Sequence, residues 1–246
     1  LAKTTICFDF GNTRLKYAVF AGNQQQAVEL LPDAGEASVA TVLDKWKPDA
    51  SILSSVIHHE ASVETQLRER THFHKLSHTT LLPFTTPVGK PETIGADRLA
   101  LCAAAVNLFP EKNNLVVALG TCITYNFISK YHAFIGGGIS PGMDMRFKSL
   151  HTFTALLPVI KEDWNFPLMG YDTKTNILSG VILGMAKEID GFIEAYGERY
   201  SNLNILLTGG NCLYFVPQLK NKVFADPDLL FKGLYAISEA NQGNQS

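Results

Sequence analysis

Thr4 to Phe10 is a β-branched and aromatic run that stops at Gly11-Asn12-Thr13, before an apolar-rich segment from Leu15 to Phe20. Apolar runs bounded by glycine and asparagine predict a strand, a tight turn and a returning strand. The region from Leu115 to Ser129 repeats the pattern. Laying Ile6-Cys7-Phe8-Asp9-Phe10-Gly11-Asn12-Thr13 over Leu115-Val116-Val117-Ala118-Leu119-Gly120-Thr121-Cys122 puts Gly11 on Gly120 and Asp9 on Ala118. Two such openings predict an internal duplication, each half building a sheet flanked by helices. Between them, Gly95-Ala96-Asp97-Arg98 opens a predicted helix that runs through Val106 and is closed by Pro110. The polar Lys112-Asn113-Asn114 then interrupts the pattern, which divides the chain into lobes 1–112 and 113–246. Ile177 to Tyr196 has helical spacing and carries Gly180, Gly184 and Gly191. An interior glycine costs a helix about 1 kcal/mol relative to alanine, so three of them predict close helix packing. Asn204 to Leu207 predicts a short buried strand ending at Thr208-Gly209-Gly210, and the polar tail after Glu239 is expected to fray.

Composition narrows the class. At 246 residues, 46% hydrophobic and 18% charged, the chain has the size of one large or two modest domains and needs no disulfide or metal scaffold. The net charge of −2 supplies no broad field for a polyanion, so nucleic acid is not an expected partner. Cys7, Cys102, Cys122 and Cys212 form no CxxC pair, and they read as small apolar residues in a reducing compartment. The N-terminus turns acidic and then glycine-containing too early for a signal peptide. No stretch approaches the ~18 consecutive apolar residues that span a bilayer. A soluble cytoplasmic protein without membrane attachment is expected.

Several constellations could carry chemistry. In Asp9-Phe10-Gly11-Asn12-Thr13 a carboxylate ends a buried strand where a divalent cation could be held. The glycine lets backbone N–H groups approach phosphate oxygens, with Asn12, Thr13 and Lys16 as further donors. A plain hairpin capped by Asp9 explains the isolated pentapeptide as well. Gly120-Thr121 is the counterpart in the second half, and the two turns would clamp one nucleotide from two sides. Thr208-Gly209-Gly210 is a third strand end suited to backbone contact with the nucleotide. Gly136 to Gly142 reads as a fourth break. Its second interval is one residue too long for a G-x-G-x-x-G dinucleotide fingerprint, and no P-loop occurs in the chain. Asp97, two residues after Gly95, is either a helix-start residue complementing the macrodipole or a general base for a hydroxyl attacking the γ-phosphorus of ATP. Arg98 either holds a substrate carboxylate or phosphoryl group, or makes a surface salt bridge. Five histidines fall between His58 and His78, but a metal site there would need a third ligand in register, and a solvated strand over His72-Phe73-His74 is the simpler reading.

Taken together, these residues resemble the type III pantothenate kinases, of the acetate and sugar kinase, Hsp70 and actin superfamily, over nearly the whole chain. Asp9-Phe10-Gly11-Asn12-Thr13 resembles the family's D-x-G-N-T, and Gly95-Ala96-Asp97-Arg98 its G-x-D-R. Gly120-Thr121 through Thr124 resembles the second phosphate motif, Gly137 to Gly142 falls within its G-G-x-I-x-P-G, and Thr208-Gly209-Gly210 resembles its nucleoside-side turn. The resemblance implies an α/β, duplicated actin-like (ribonuclease H-like) two-lobed fold with mixed sheets flanked by helices. It also implies ATP-dependent phosphorylation of pantothenate to 4′-phosphopantothenate, the first step of coenzyme A biosynthesis, by a homodimer using Mg²⁺ and K⁺ or NH₄⁺. By that resemblance Asp97 is the base and Asp9 lies near Mg²⁺. ATP is held along Asp9, Phe10, Gly11, Asn12, Thr13, Arg14, Leu15 and Lys16 and at Gly120 and Thr121, while Gly95, Ala96, Asp97, Arg98 and Thr173 contact pantothenate.

The chain departs from the family's pattern at three positions. Ala118 stands where the family has the first Asp of D-x-G-T and offers a cation no side-chain oxygen; Asn126 replaces a further Asp. Val88 stands where a Tyr is common in the pantothenate pocket, and a lost hydroxyl contact costs about 1 kcal/mol when water replaces it. These changes keep open a second reading, a non-catalytic ligand-binding regulator similar to a Bvg accessory factor. A sugar or acetate kinase of the same superfamily fits the G-A-D-R context less well.

Overall fold

β1 (Thr4–Phe10) is buried along nearly all its length in a computed structural model of the chain, which describes residues 2–242. It pairs antiparallel with β2 (Leu15–Ala21), which pairs antiparallel with β3 (Gln24–Leu31). On its other side β1 pairs parallel with β4 (Ala50–Ser55), and β4 with β5 (His72–Lys75), giving the order β3-β2-β1-β4-β5. Side chains alternate across a strand. Ile6, Phe8 and Phe10 therefore enter one core with Tyr17, Leu53, Val39 and Leu43, under α1 (Glu36–Trp46) and α2 (Ala61–Arg70). The opposite face, carrying Cys7 and Asp9, receives α3 (Ala96–Leu108), which a single 3₁₀ turn at Pro91–Thr93 leads into.

The second sheet is built from β6 (Asn113–Leu119), β7 (Cys122–Ile128), β8 (Phe134–Pro141), β9 (Leu203–Gly209) and β10 (Phe224–Ala225), in the order β10-β9-β6-β7-β8. Its helices are α4 (Met143–Thr152), α5 (Thr173–Arg199) and the short α6 (Cys212–Phe215). Asp172 starts α5 with a capping box to Thr175. Read from β8 inward, the order repeats that of the first sheet, with β6 in the place of β1 and β9 in the place of β4. Asp9 pairs with Lys16 and Ser54; Ala118 pairs with Thr124 and Thr208. The duplication is thus present residue for residue in the strand register.

By packing, the described residues fall into two units: one holds residues 2–110, His132–Phe134 and residues 229–242, the other Glu111–Tyr131 and Ile135–Asp228. The division into lobes 1–112 and 113–246 follows the motifs, whereas α7 (Leu229–Gln242) packs on α3 and β1 in the first unit.

Four local expectations are corrected. Asn113 and Asn114 do not interrupt the pattern but begin β6, buried with their amides bonded to Ser201 and Lys112 carbonyls. Gly136 to Pro141 is a strand and no break; a Cβ at Gly137 would collide with the Tyr125 carbonyl, so the glycine lets β8 lie close to β7. A Cβ at Gly180, Gly184 or Gly191 would meet nothing within 4 Å, so these glycines do not mark close helix packing. That packing occurs at Gly233 of α7, where a Cβ would collide with the Ala100 backbone of α3. Lastly, α7 continues through Gln242 and does not fray after Glu239; the rest of the polar tail lies outside the described residues.

Candidate active site

Asp9 stands one residue from the end of β1, on the face opposite the aromatic core, with Lys16 beside it on β2 and Ser54 on β4. This is the C-terminal edge of the parallel β1–β4 pair, where open α/β sheets place their ligands. Burial and, next, the nearby charge of Asp97 push the Asp9 carboxyl up to about 7, against smaller lowering by Lys16 and Ser54. The turn that follows exposes Asn12, Thr13 and Arg14. A Cβ at Gly11 would stand 3.0 Å from the Arg14 carbonyl, tighter than side chains normally accept. Phe10 is fully buried and Leu15 packs on the core, so only their backbones face outward.

Asp97 lies in the first turn of α3, after Gly95 in extended conformation at the N-cap. Its carboxylate folds back over Gly95, and a Cβ there would stand 2.5 Å from Oδ1. Burial raises its pKa, while backbone N–H groups at the helix start and the Arg98 guanidinium pull the other way. Arg98 lies 5.5 Å from the ring centre of Phe134, a cation–π contact that orients it. The first unit therefore brings together Asp9, Lys16, Gly95, Ala96, Asp97 and Arg98 around a pair of carboxylates that both resist ionisation.

The second unit holds Gly120, Thr121 and Thr173. The Leu119–Thr121 backbone is hemmed in from two sides. Gly142 donates its N–H to the Thr121 carbonyl at 3.0 Å, and Gly209, at φ +100°, leaves room for the Leu119 backbone, which any Cβ would strike. Gly120 and Thr121 are exposed. Thr173 opens α5 at a cavity of about 620 Å³ in the second unit, with Arg146, Asn176 and Ile177 in its walls. Sequence reasoning missed Ser54, and it missed the network in which Tyr125 and Arg146 bond Glu188 while Arg146 also bonds Ser140 at 2.8 Å. No local spacing signals either, because the partners meet only through the folded sheet and helices.

At the histidines, His59 bonds Glu64 at 3.0 Å and His74 bonds Thr80 at 2.9 Å. Among the described residues no group of three or more His, Cys, Asp or Glu could hold a metal by itself, and no helix is long and apolar enough to cross a membrane.

A twice-used mixed sheet with a glycine turn after its central strand defines the actin-like class that includes the sugar kinases, and solved structures agree. A glucokinase from an Antarctic psychrotroph matches at TM-score 0.51 and 9% identity, covering 98% of this chain and 100% of that one. A Campylobacter jejuni protein described as a Baf family transcriptional activator matches at TM-score 0.61 and 20% identity, over 97% of this chain and 99% of that one. At such identities the likeness is one of fold. The type III pantothenate kinase family model matches residues 5–195, and the chain belongs to that family. The type III pantothenate kinase of Christiangramia forsetii is 40% identical over 96% of this chain and 98% of its own length.

A kinase family implies ATP and a divalent metal. The residues fit that metal: Asp9 is a carboxylate with little positive charge to offset it, and magnesium is typically held by one or two carboxylates with substrate phosphates.

Proposed function

We propose that the protein transfers the γ-phosphoryl group of ATP to the primary hydroxyl of pantothenate, giving 4′-phosphopantothenate and ADP, the first step of coenzyme A biosynthesis. The observation that carries this reading is the carboxylate pair of the first unit, Asp9 and Asp97, with Lys16 and Arg98 beside them. Asp97 accepts the hydroxyl proton as the oxygen attacks phosphorus, and its raised pKa makes it a stronger base than a solvated carboxylate. Arg98, with Gly95, Ala96 and Thr173, contacts pantothenate. The backbone and side chains from Asp9 to Lys16, with Gly120 and Thr121, hold the ATP phosphates. Mg²⁺ beside Asp9 would neutralise phosphate charge in a loose transition state, where positioning and charge carry most of the catalysis.

The monovalent cation that the resemblance implies does not fit this chain. Ala118 has no side-chain oxygen, and the Asn126 amide directs its N–H donors at the Val116 carbonyl, 3.2 Å away, and at Thr124 Oγ1, 3.0 Å away. Two groups at this place thus receive an N–H donor, and no step of the reading is routed through K⁺. A homodimer is supported by the exposed apolar side chains of the second unit: Phe153, Leu156, Leu168, Met169 and Tyr171 are each more than three quarters exposed in the single chain. The non-catalytic regulator is disfavoured, because the chain belongs to a kinase family and keeps Asp9, Asp97 and Arg98.

ATP-dependent formation of 4′-phosphopantothenate, followed by mass spectrometry beside Asp97→Asn, tests the reading. Product from the wild type and none from the variant supports it, and no product from the wild type under any cation rejects it.

A further inference from the structure

We propose that Ser54 is a positioning residue of the phosphoryl-transfer site, its hydroxyl fixing the Asp9 carboxylate in the orientation that receives a divalent cation together with the nucleotide phosphates. The proposal rests on the kinase reading above and adds a residue that no motif of the sequence pointed to.

Ser54 pairs in register with Asp9 across the parallel β1–β4 ladder, and residues paired in register stand on the same face of a sheet. Leu53 and Phe8 take the aromatic face, which leaves Ser54 and Asp9 together on the other. Ser54 has no solvent exposure, and its Oγ has no hydrogen-bond partner. A buried hydroxyl left unsatisfied is destabilising, a penalty that alanine at the same place would not carry. Thr5 Oγ1 and Trp46 Nε1 are likewise without a partner, but Ser54 stands beside the carboxylate of the phosphate motif, close enough to influence Asp9 though outside the geometry of a formed bond. Lys16 flanks Asp9 on the opposite strand. With a cationic side chain on one flank and an O–H donor on the other, Asp9 would be held in one orientation when it serves as a ligand to a divalent cation. A hydroxyl unsatisfied in the resting protein and used in the loaded one is the arrangement expected of a group kept for binding and not for folding.

The test compares ADP affinity with Mg²⁺ and with EDTA, by calorimetry, in the full chain and in Ser54→Ala. The wild type is expected to bind ADP more tightly with Mg²⁺. Ser54→Ala should lose about tenfold of that metal-dependent gain, the range seen when groups orienting a metal ligand are removed, with its affinity in EDTA unchanged. The ligand-free variant should melt no lower than the wild type, because it has lost an unsatisfied group. In turnover the KM for MgATP should rise while the KM for pantothenate stays the same, and Ser54→Thr, which keeps the hydroxyl, should restore the metal-dependent gain.

An undiminished Mg²⁺ gain in Ser54→Ala overturns the proposal, as does a lower melting point or failure to fold, either of which would make the hydroxyl structural. If the wild type shows the Mg²⁺ effect on ADP but forms no 4′-phosphopantothenate, the kinase reading fails and the role of Ser54 in metal–nucleotide binding is still decided by the calorimetry.

Discussion

A carboxylate folded over a glycine ties Asp97 to Gly95 more closely than adjacency in a motif conveys. The Cβ of Gly95→Ala would stand 2.5 Å from Asp97 Oδ1. That oxygen is the free end of a side chain, so the clash is relieved by turning the carboxylate away and not by unfolding the helix start. Misplacing a reacting group by about 1 Å can cost on the order of 10²-fold in rate. Gly95→Ala is therefore expected to lower kcat by about that factor with a nearly unchanged melting temperature, read by turnover and circular dichroism on the same sample. Asp9 gives the opposite trade. Its pKa is about 7 in the folded protein against 3.8 as its ordinary value, so the native state binds the proton more tightly than the unfolded chain does. The stability this contributes is full below about pH 4 and is lost as pH rises through about 7. Asp9→Asn escapes that loss. Its melting temperature should match the wild type near pH 4 and exceed it increasingly up to pH 8, while phosphorylation of pantothenate disappears. The identities of Asp9 and Asp97 were legible in the sequence because each sits in a short contiguous motif. Ser54 was not, because its relation to Asp9 exists only through the pairing of strands 45 positions apart.

At the scale of elements, α3 carries Asp97 and Arg98, and its position is set by a helix from the far end of the chain. Gly233 of α7 meets the backbone of Ala100 so closely that even a methyl group would collide with it, and that neighbour is backbone, which cannot swing aside. Gly233→Ala is expected to separate the two helices at a cost of roughly 1–3 kcal/mol, the usual penalty of overpacking a core. Urea unfolding of the wild type and the variant measures it, and equal midpoints would show that the helices can slide past the added methyl. The start of α3 was readable from Gly95 and its end from Pro110, since both are local backbone signals. The return of α7 was not: its sequence states that it is amphipathic but not which sheet it covers. The glycine run before Gly142 misled for a related reason. Glycine ordinarily punctuates strands, yet here the missing side chains let β8 lie against Tyr125.

Over the whole molecule, one strand plan is used twice and its chemistry is kept once. The central strand of each sheet ends in a glycine turn, but the register position filled by Asp9 between Lys16 and Ser54 is filled by Ala118 between Thr124 and Thr208. The duplication was legible because a buried strand running into glycine leaves the same trace in both halves. What the second copy does with its missing carboxylates was not, because the answer lies in where one amide points. Asn126 is fully buried, and its amide N–H groups are directed at the Val116 carbonyl and Thr124 Oγ1, where a carboxylate would have presented acceptors. Wild-type activity should accordingly be the same in sodium and potassium buffers at equal ionic strength. Restoring both acids, as Ala118→Asp with Asn126→Asp, removes the amide donors and buries two carboxylates, each unfavourable without a counter-charge. A cation that binds only the folded form then stabilises it by mass action. The double variant is expected to melt below the wild type in sodium, to recover part of that loss in potassium, and to become potassium-dependent in turnover. If the wild type itself is strongly activated by potassium, backbone or hydroxyl oxygens supply the cation's ligands and the Asn126 amide does not stand in for it.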